Sequence, residues 1–166
     1  YTGERSSSAV DELVEATNKA ITALQGLNEN NRVSVVVYAG TDNASWSARN
    51  GKTRVILPLD SYTTTTAGRY LQSTRNSQGT ADYALQVANG VRNSKGQAAH
   101  ADTFFEVSTG TFAQDGLYMG MQELLKADPI VEEGFQAGTN RIPIMVLMTD
   151  GEPTLGNENY YGTYTT

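Results

Sequence analysis

The run Ile142-Pro143-Ile144-Met145-Val146-Leu147-Met148-Thr149-Asp150-Gly151-Glu152-Pro153 constrains this chain more than any other feature. Five consecutive apolar residues, Ile144 to Met148, stop at an acidic segment, and Gly151 and Pro153 then forbid regular continuation. A short apolar run of this kind predicts a strand over 142–149 that is buried on both faces. Such strands belong to parallel sheets covered by helices on each side. The Asp150 carboxylate would then stand just beyond the carboxyl end of the strand, where open α/β sheets bind ligands. The alternative for an Asp-Gly pair is a turn aspartate that bonds its own backbone. The run alone weighs the two evenly.

With 166 residues the chain has the length of one ordinary domain, taken as 1–166. The apolar share of 39% is somewhat low, and Gly, Ser, Thr and Asn are abundant, which predicts long surface loops. The net charge is -6 and there is no basic tract. Phosphate backbones need clustered Lys and Arg, so nucleic-acid binding is not expected. The absence of cysteine excludes a disulfide framework, a thiolate zinc site and a cysteine nucleophile. No apolar stretch reaches the length of about 18 residues needed to span a membrane. The chain opens on Tyr1 without an initiator methionine, and it reads as cut from something longer.

Val10, Leu13, Val14, Thr17, Ile21, Leu24 and Leu27 recur at three- and four-residue spacing, which predicts an amphipathic helix after the N-cap candidates Ser6 to Ser8. Asp11, Glu12 and Glu15 crowd its first turns, where the macrodipole favours negative charge. Val33 to Ala39 reads as a buried strand, and Thr53 to Leu59 as a second strand joined to it in a hairpin through Asn50-Gly51. Weak helical spacing covers 67–75 and 80–92, with Tyr83, Val87 and Val91 as an apolar stripe, so helix is expected within 60–110. Asn93 to Ala101 reads as an exposed loop. A clearer helix spans Ala113 to Lys126, with Ala113, Leu117, Met121, Leu124 and Leu125 on its core face.

Some candidate chemistry falls away at once. Asn50-Gly51-Lys52-Thr53 is no phosphate loop, because Trp46 stands where that motif needs a glycine and a strand follows where it needs a helix. His100 is the only histidine and reads as a solvated loop residue, so the common His-based zinc sites are excluded. Asp150 and Glu152 form a carboxylate pair without a visible nucleophile, and no enzymatic activity is expected. The more specific constellation joins Asp150 to Gly110-Thr111-Phe112-Ala113-Gln114-Asp115-Gly116-Leu117. Alone, Thr111 reads as a helix cap. In order, however, the chain presents a loop threonine, a helix, a buried strand and a carboxylate. Hard oxygen donors at one sheet edge suit Mg²⁺ or Mn²⁺.

On these residues the chain resembles the von Willebrand factor type A domain family, which includes integrin inserted domains and bacterial surface adhesins. The matching parts are the first helix (Ser6 to Leu27), the strand Asn31 to Tyr38, the segment Gly110-Thr111 to Gly116-Leu117, and Val146 to Pro153. The resemblance implies an α/β fold: a mostly parallel, open, Rossmann-like sheet with helices on both faces. Residues 60–107 would be an enlargement of it. It also implies a metal-ion-dependent adhesion site in which Thr111 is the second-loop threonine and Asp150 the third-loop aspartate, holding Mg²⁺ or Mn²⁺. The family's first loop, Asp-x-Ser-x-Ser, does not occur in this chain, so the site is incomplete and the sheet would lack a strand at the N-terminus; the C-terminus also reads as severed. The implied function is adhesion: recognition of a protein or extracellular-matrix ligand, whose acidic side chain completes the cation's coordination, at a cell surface such as a bacterial wall. The alternative is a non-adhesive scaffold of the kind that works beside ATPase or chelatase subunits.

Overall fold

The computed structural model describes residues 9–38, 53–75, 83–99, 104–106, 113–126 and 142–149. Its elements, in order, are α1 (Ala9–Leu27), β1 (Val33–Tyr38), β2 (Thr53–Asp60), β3 (Tyr62–Thr64), β4 (Leu71–Arg75), β5 (Tyr83–Val87), β6 (Val91–Asn93), β7 (Phe104–Glu106) and α2 (Ala113–Lys126). The chain divides into two compact units: one contains Tyr1–Val35 and Ile56–Val107, the other Val36–Val55 and Ser108–Thr166.

Among the described residues the parallel open sheet expected from the sequence is not found. The described strands form three small sheets, ordered β1-β2, β3-β6 and β4-β5-β7. The pairings of β3 with β6 and of β5 with β4 and β7 are antiparallel. Residues 142–149, expected to be a strand buried on both faces, adopt no regular structure and are exposed throughout. The run is apolar, but among the described residues no pair of layers covers it.

Helix α1 begins at Ala9, directly after the serine tract, and ends where the asparagines begin. Asn31 donates from Nδ2 to the Leu24 carbonyl at 2.7 Å, and the Asn28 N–H reaches the same carbonyl at 3.4 Å. Both occupy an acceptor left open by the last turn. The buried stripe is narrower than the sequence pattern: Val14, Thr17 and Ile21 are buried, whereas Leu24 and Leu27 are 42% and 82% exposed.

The segments with helical spacing at 67–75 and 80–92 are strands and turns instead. Leu71 pairs with Val87 and Ser73 with Leu85, so these four share one face of the β4-β5 ladder. Leu71, Leu85 and Val87 are 1%, 2% and 3% exposed. That face meets α1: the Ser73 hydroxyl donates to the Asp11 carboxylate, and Asn18 bonds the backbone at Tyr70 and Leu71. Ile56 and Leu57 of β2, Tyr62 of β3 and Val91 of β6 complete the core of this unit. After Val91 the chain turns through Gly96 and returns by the isolated bridge of Arg92 with Ala98, which leaves 94–98 exposed as expected.

Burial of Tyr70 has a consequence for pH. Loss of water around the phenol disfavours its ionised form and raises its pKa above the ordinary value of 10.0. A raised folded-state pKa stabilises the fold fully below the unfolded value, and that contribution disappears as pH rises through the folded one. Stability measured by urea unfolding therefore declines above pH 10, and Tyr70→Phe, which cannot ionise, makes the decline shallower.

Candidate functional site

Thr111 and Asp150, the two metal-site residues expected from the sequence, both lie outside the described residues, as do His100 and Glu152. Their described neighbours in the chain do meet. Tyr38, the last residue of β1, donates its hydroxyl to the Met148 carbonyl at 2.9 Å. Its ring also packs against the start of α2: a β-carbon built on Gly116 would stand 2.4 Å from Tyr38 Cδ1 and 2.7 Å from Cγ. Tyr38 thus ties the residue two positions before Asp150 to one five positions after Thr111. Chain geometry allows at most about 3.6 Å per residue, which bounds how far each candidate donor can stray from the tyrosine.

The helix that follows Thr111 does not pack as its apolar pattern suggests. Of the expected core face Ala113 is buried and Leu124 half-buried, but the other three residues are not covered. Leu117, Met121 and Leu125 are 37%, 51% and 66% exposed, while Ala113, Gly116 and Glu123 are buried. Ala113, Gly116, Gly120 and Glu123 follow one another at three- and four-residue spacing, so they form a stripe along one side of the helix. At Gly120 a β-carbon would come within 3.1 Å of Met145 Cε. Close approach to the helix backbone, rather than burial of leucines, is what seats α2 here. A pair of glycines four residues apart inside a helix is the sequence signal for this, because each costs about 1 kcal/mol of helix propensity relative to alanine. Gly116→Ala tests the contact. Helix propensity alone would stabilise the protein, but the clash reaches from the Tyr38 ring down to its Cβ, and moving the ring aside would break the hydroxyl's bond to Met148. Overpacking costs about 1–3 kcal/mol. The expected result is a net loss of about 1 kcal/mol in urea unfolding, abolished when Tyr38 is also replaced by alanine.

The other unit carries a groove of about 410 Å³ along the seam between α1 and β4. Its polar groups are engaged with one another. Asp11 accepts from Ser73, Arg69 donates to Gln72 at 3.2 Å, and Lys19 pairs with Glu15 at 2.5 Å. The Lys19 ammonium, by hydrogen bond and charge, holds the Glu15 carboxylate below its ordinary pKa. These contacts close a structural seam and present no converging set of donors to a ligand.

Among the described residues no group of three or more His, Asp or Glu side chains could hold a metal ion, and no helix is long and apolar enough to cross a membrane. Comparison of the chain with protein-family models, curated proteins and solved structures returned no match.

Proposed function

We propose that this chain is a recognition module of a cell surface that binds a protein ligand through a divalent cation held at Thr111 and Asp150. The observation that supports this is the Tyr38 junction: its hydroxyl bonds Met148 and its ring covers Gly116, so the two stretches leading to these residues share one neighbourhood. The donor set fits the ion in kind. A threonine hydroxyl and an aspartate carboxylate are hard oxygen donors, and the chain has no cysteine and one histidine with which to favour softer metals. Mg²⁺ takes six oxygens and retains several waters, so two protein donors leave room for water and for an acidic side chain of the ligand. The ion would supply the charge on which that side chain docks. The argument rests on these residues and not on a fold class.

Thermal unfolding with Mg²⁺ or Mn²⁺ as the only added ligand tests the proposal. An ion that binds the folded state alone stabilises it by about 1.4 kcal/mol at ten times its Kd. The wild type is expected to gain this stability and lose it on adding EDTA. Asp150→Ala is expected to weaken the response at least tenfold in ion concentration, and Thr111→Ala to weaken it less, since a carboxylate contributes charge as well as an oxygen. A wild type indifferent to both ions overturns the proposal.

A further inference from the structure

The most anomalous surface of the molecule is the apolar one. Ile142, Ile144, Val146 and Leu147 are 79%, 68%, 74% and 46% exposed, with Met145 and Met148 at 38% and 42%. Leu117, Tyr118, Met121 and Leu125 of α2 are exposed as well, on a different side of that helix from Gly120, which Met145 approaches. From these fractions, 142–148 alone presents on the order of 600 Å², already at the upper end of the largest apolar patch on a typical monomer. It also reaches the lower end of the roughly 600–1,000 Å² per partner that a stable interface buries. Among the described residues, the backbone of 142–148 is engaged by the Tyr38 hydroxyl at Met148 and by no strand. An apolar, exposed segment that pairs with no described strand is a template for strand addition.

From this we infer that the segment 142–148 pairs with the same segment of a second copy of the chain, as an antiparallel two-stranded ladder about a two-fold axis. Area is the first argument for this occupant, because each copy brings a patch of the size a stable dimer needs. Charge is the second. No charged residue lies between Ile142 and Thr149, so like segments meet without repulsion. The run is bounded by Arg141 and Asp150, so a parallel alignment would set like charges against each other at both ends, and an antiparallel one avoids it. Pro143, which has no N–H to give to a ladder, stands near the end of the run, where a missing bond costs least. A two-fold closes the assembly, so pairing ends at two copies. The pairing is independent of the divalent cation.

Sedimentation velocity of the whole chain across a concentration series, in EDTA, tests the inference. The expected result is a reversible monomer–dimer equilibrium. Val146→Lys is expected to weaken it at least tenfold with an unchanged far-ultraviolet circular dichroism spectrum, while Leu27→Lys, at an equally exposed apolar residue in α1, leaves it unchanged. Hydrogen exchange supplies a readout that does not depend on a variant folding: amides of 144–148 in the wild type gain protection as concentration rises. A wild type that stays monomeric to ~100 µM overturns the pairing. So do open-ended aggregates, loss of the dimer in Leu27→Lys equal to that in Val146→Lys, or exchange at 144–148 that ignores concentration.

Discussion

Replacing Asn18 with alanine is expected to lower the unfolding free energy by about 3 kcal/mol, the cost of leaving three main-chain groups without partners at about 1 kcal/mol each. Asn18 Oδ1 accepts from the N–H groups of Tyr70 and Leu71 at 3.0 and 2.8 Å, and its Nδ2 donates to the Leu71 carbonyl at 2.9 Å. Tyr70 and Leu71 are 7% and 1% exposed, so little water can replace the amide. One side chain on α1 therefore holds the point where the chain enters β4 and fixes the helix on the ladder. Asn18→Asp separates the two halves of this clamp. A carboxylate still accepts from both N–H groups but opposes the Leu71 carbonyl, so its cost falls between wild type and Asn18→Ala. Urea unfolding followed by circular dichroism measures both. If Asn18→Ala shifts stability by less than about 1 kcal/mol, the clamp is not what joins helix to sheet.

Gly90→Ala is expected to cost about 2–5 kcal/mol, from two sources that add. Gly90 has φ +85°, in the region where a β-carbon is strained by about 1–2 kcal/mol. That β-carbon would also stand 2.0 Å from Thr65 Oγ1 and 3.1 Å from Thr65 Cβ, a collision worth about 1–3 kcal/mol more. The two segments cannot separate freely, since the Thr65 N–H donates to the Gly90 carbonyl at 3.3 Å and β3 pairs with β6 beside them. The double variant with Thr65→Ala removes the hydroxyl and methyl from the collision and leaves the backbone strain. It is expected to recover about half of the loss, which a double-mutant cycle reads directly. Full additivity of the two substitutions would show that the contact does not exist in solution.

Asn89-Gly90 also shows why the middle of the chain was misread. Tyr83, Val87 and Val91 are spaced as on a helix, but Tyr83, Leu85 and Val87 are spaced equally well as on one side of a strand. Over so few residues the two periods cannot be separated locally. The turn that carries the Val91 N–H to the Ala88 carbonyl, at 3.4 Å, ends any helix before Val91 can join the stripe. Gly90 in the sequence marked that turn. For the candidate site, residue types and order were legible, and a threonine before a helix and a carboxylate after an apolar run could be chosen as hard donors. Tyr38 was not legible as the residue between them, because nothing in Val33 to Tyr38 announces a partner more than a hundred residues away.

Sequence alone determined where α1 and α2 run, that 33–38 and 53–60 are strands, and which stretch is the most apolar. These follow from local periodicity, capping and turn chemistry, which act within a few residues. Tertiary structure alone decided what those elements touch: that α2 seats itself by its glycines and turns Leu117, Met121 and Leu125 outward, that Asn18 commits its amide to β4, and that Ile142 to Met148 is exposed. Burial depends on which surfaces distant parts of the chain bring together, and an apolar run states only that it would be stabilised by a cover, not where the cover comes from.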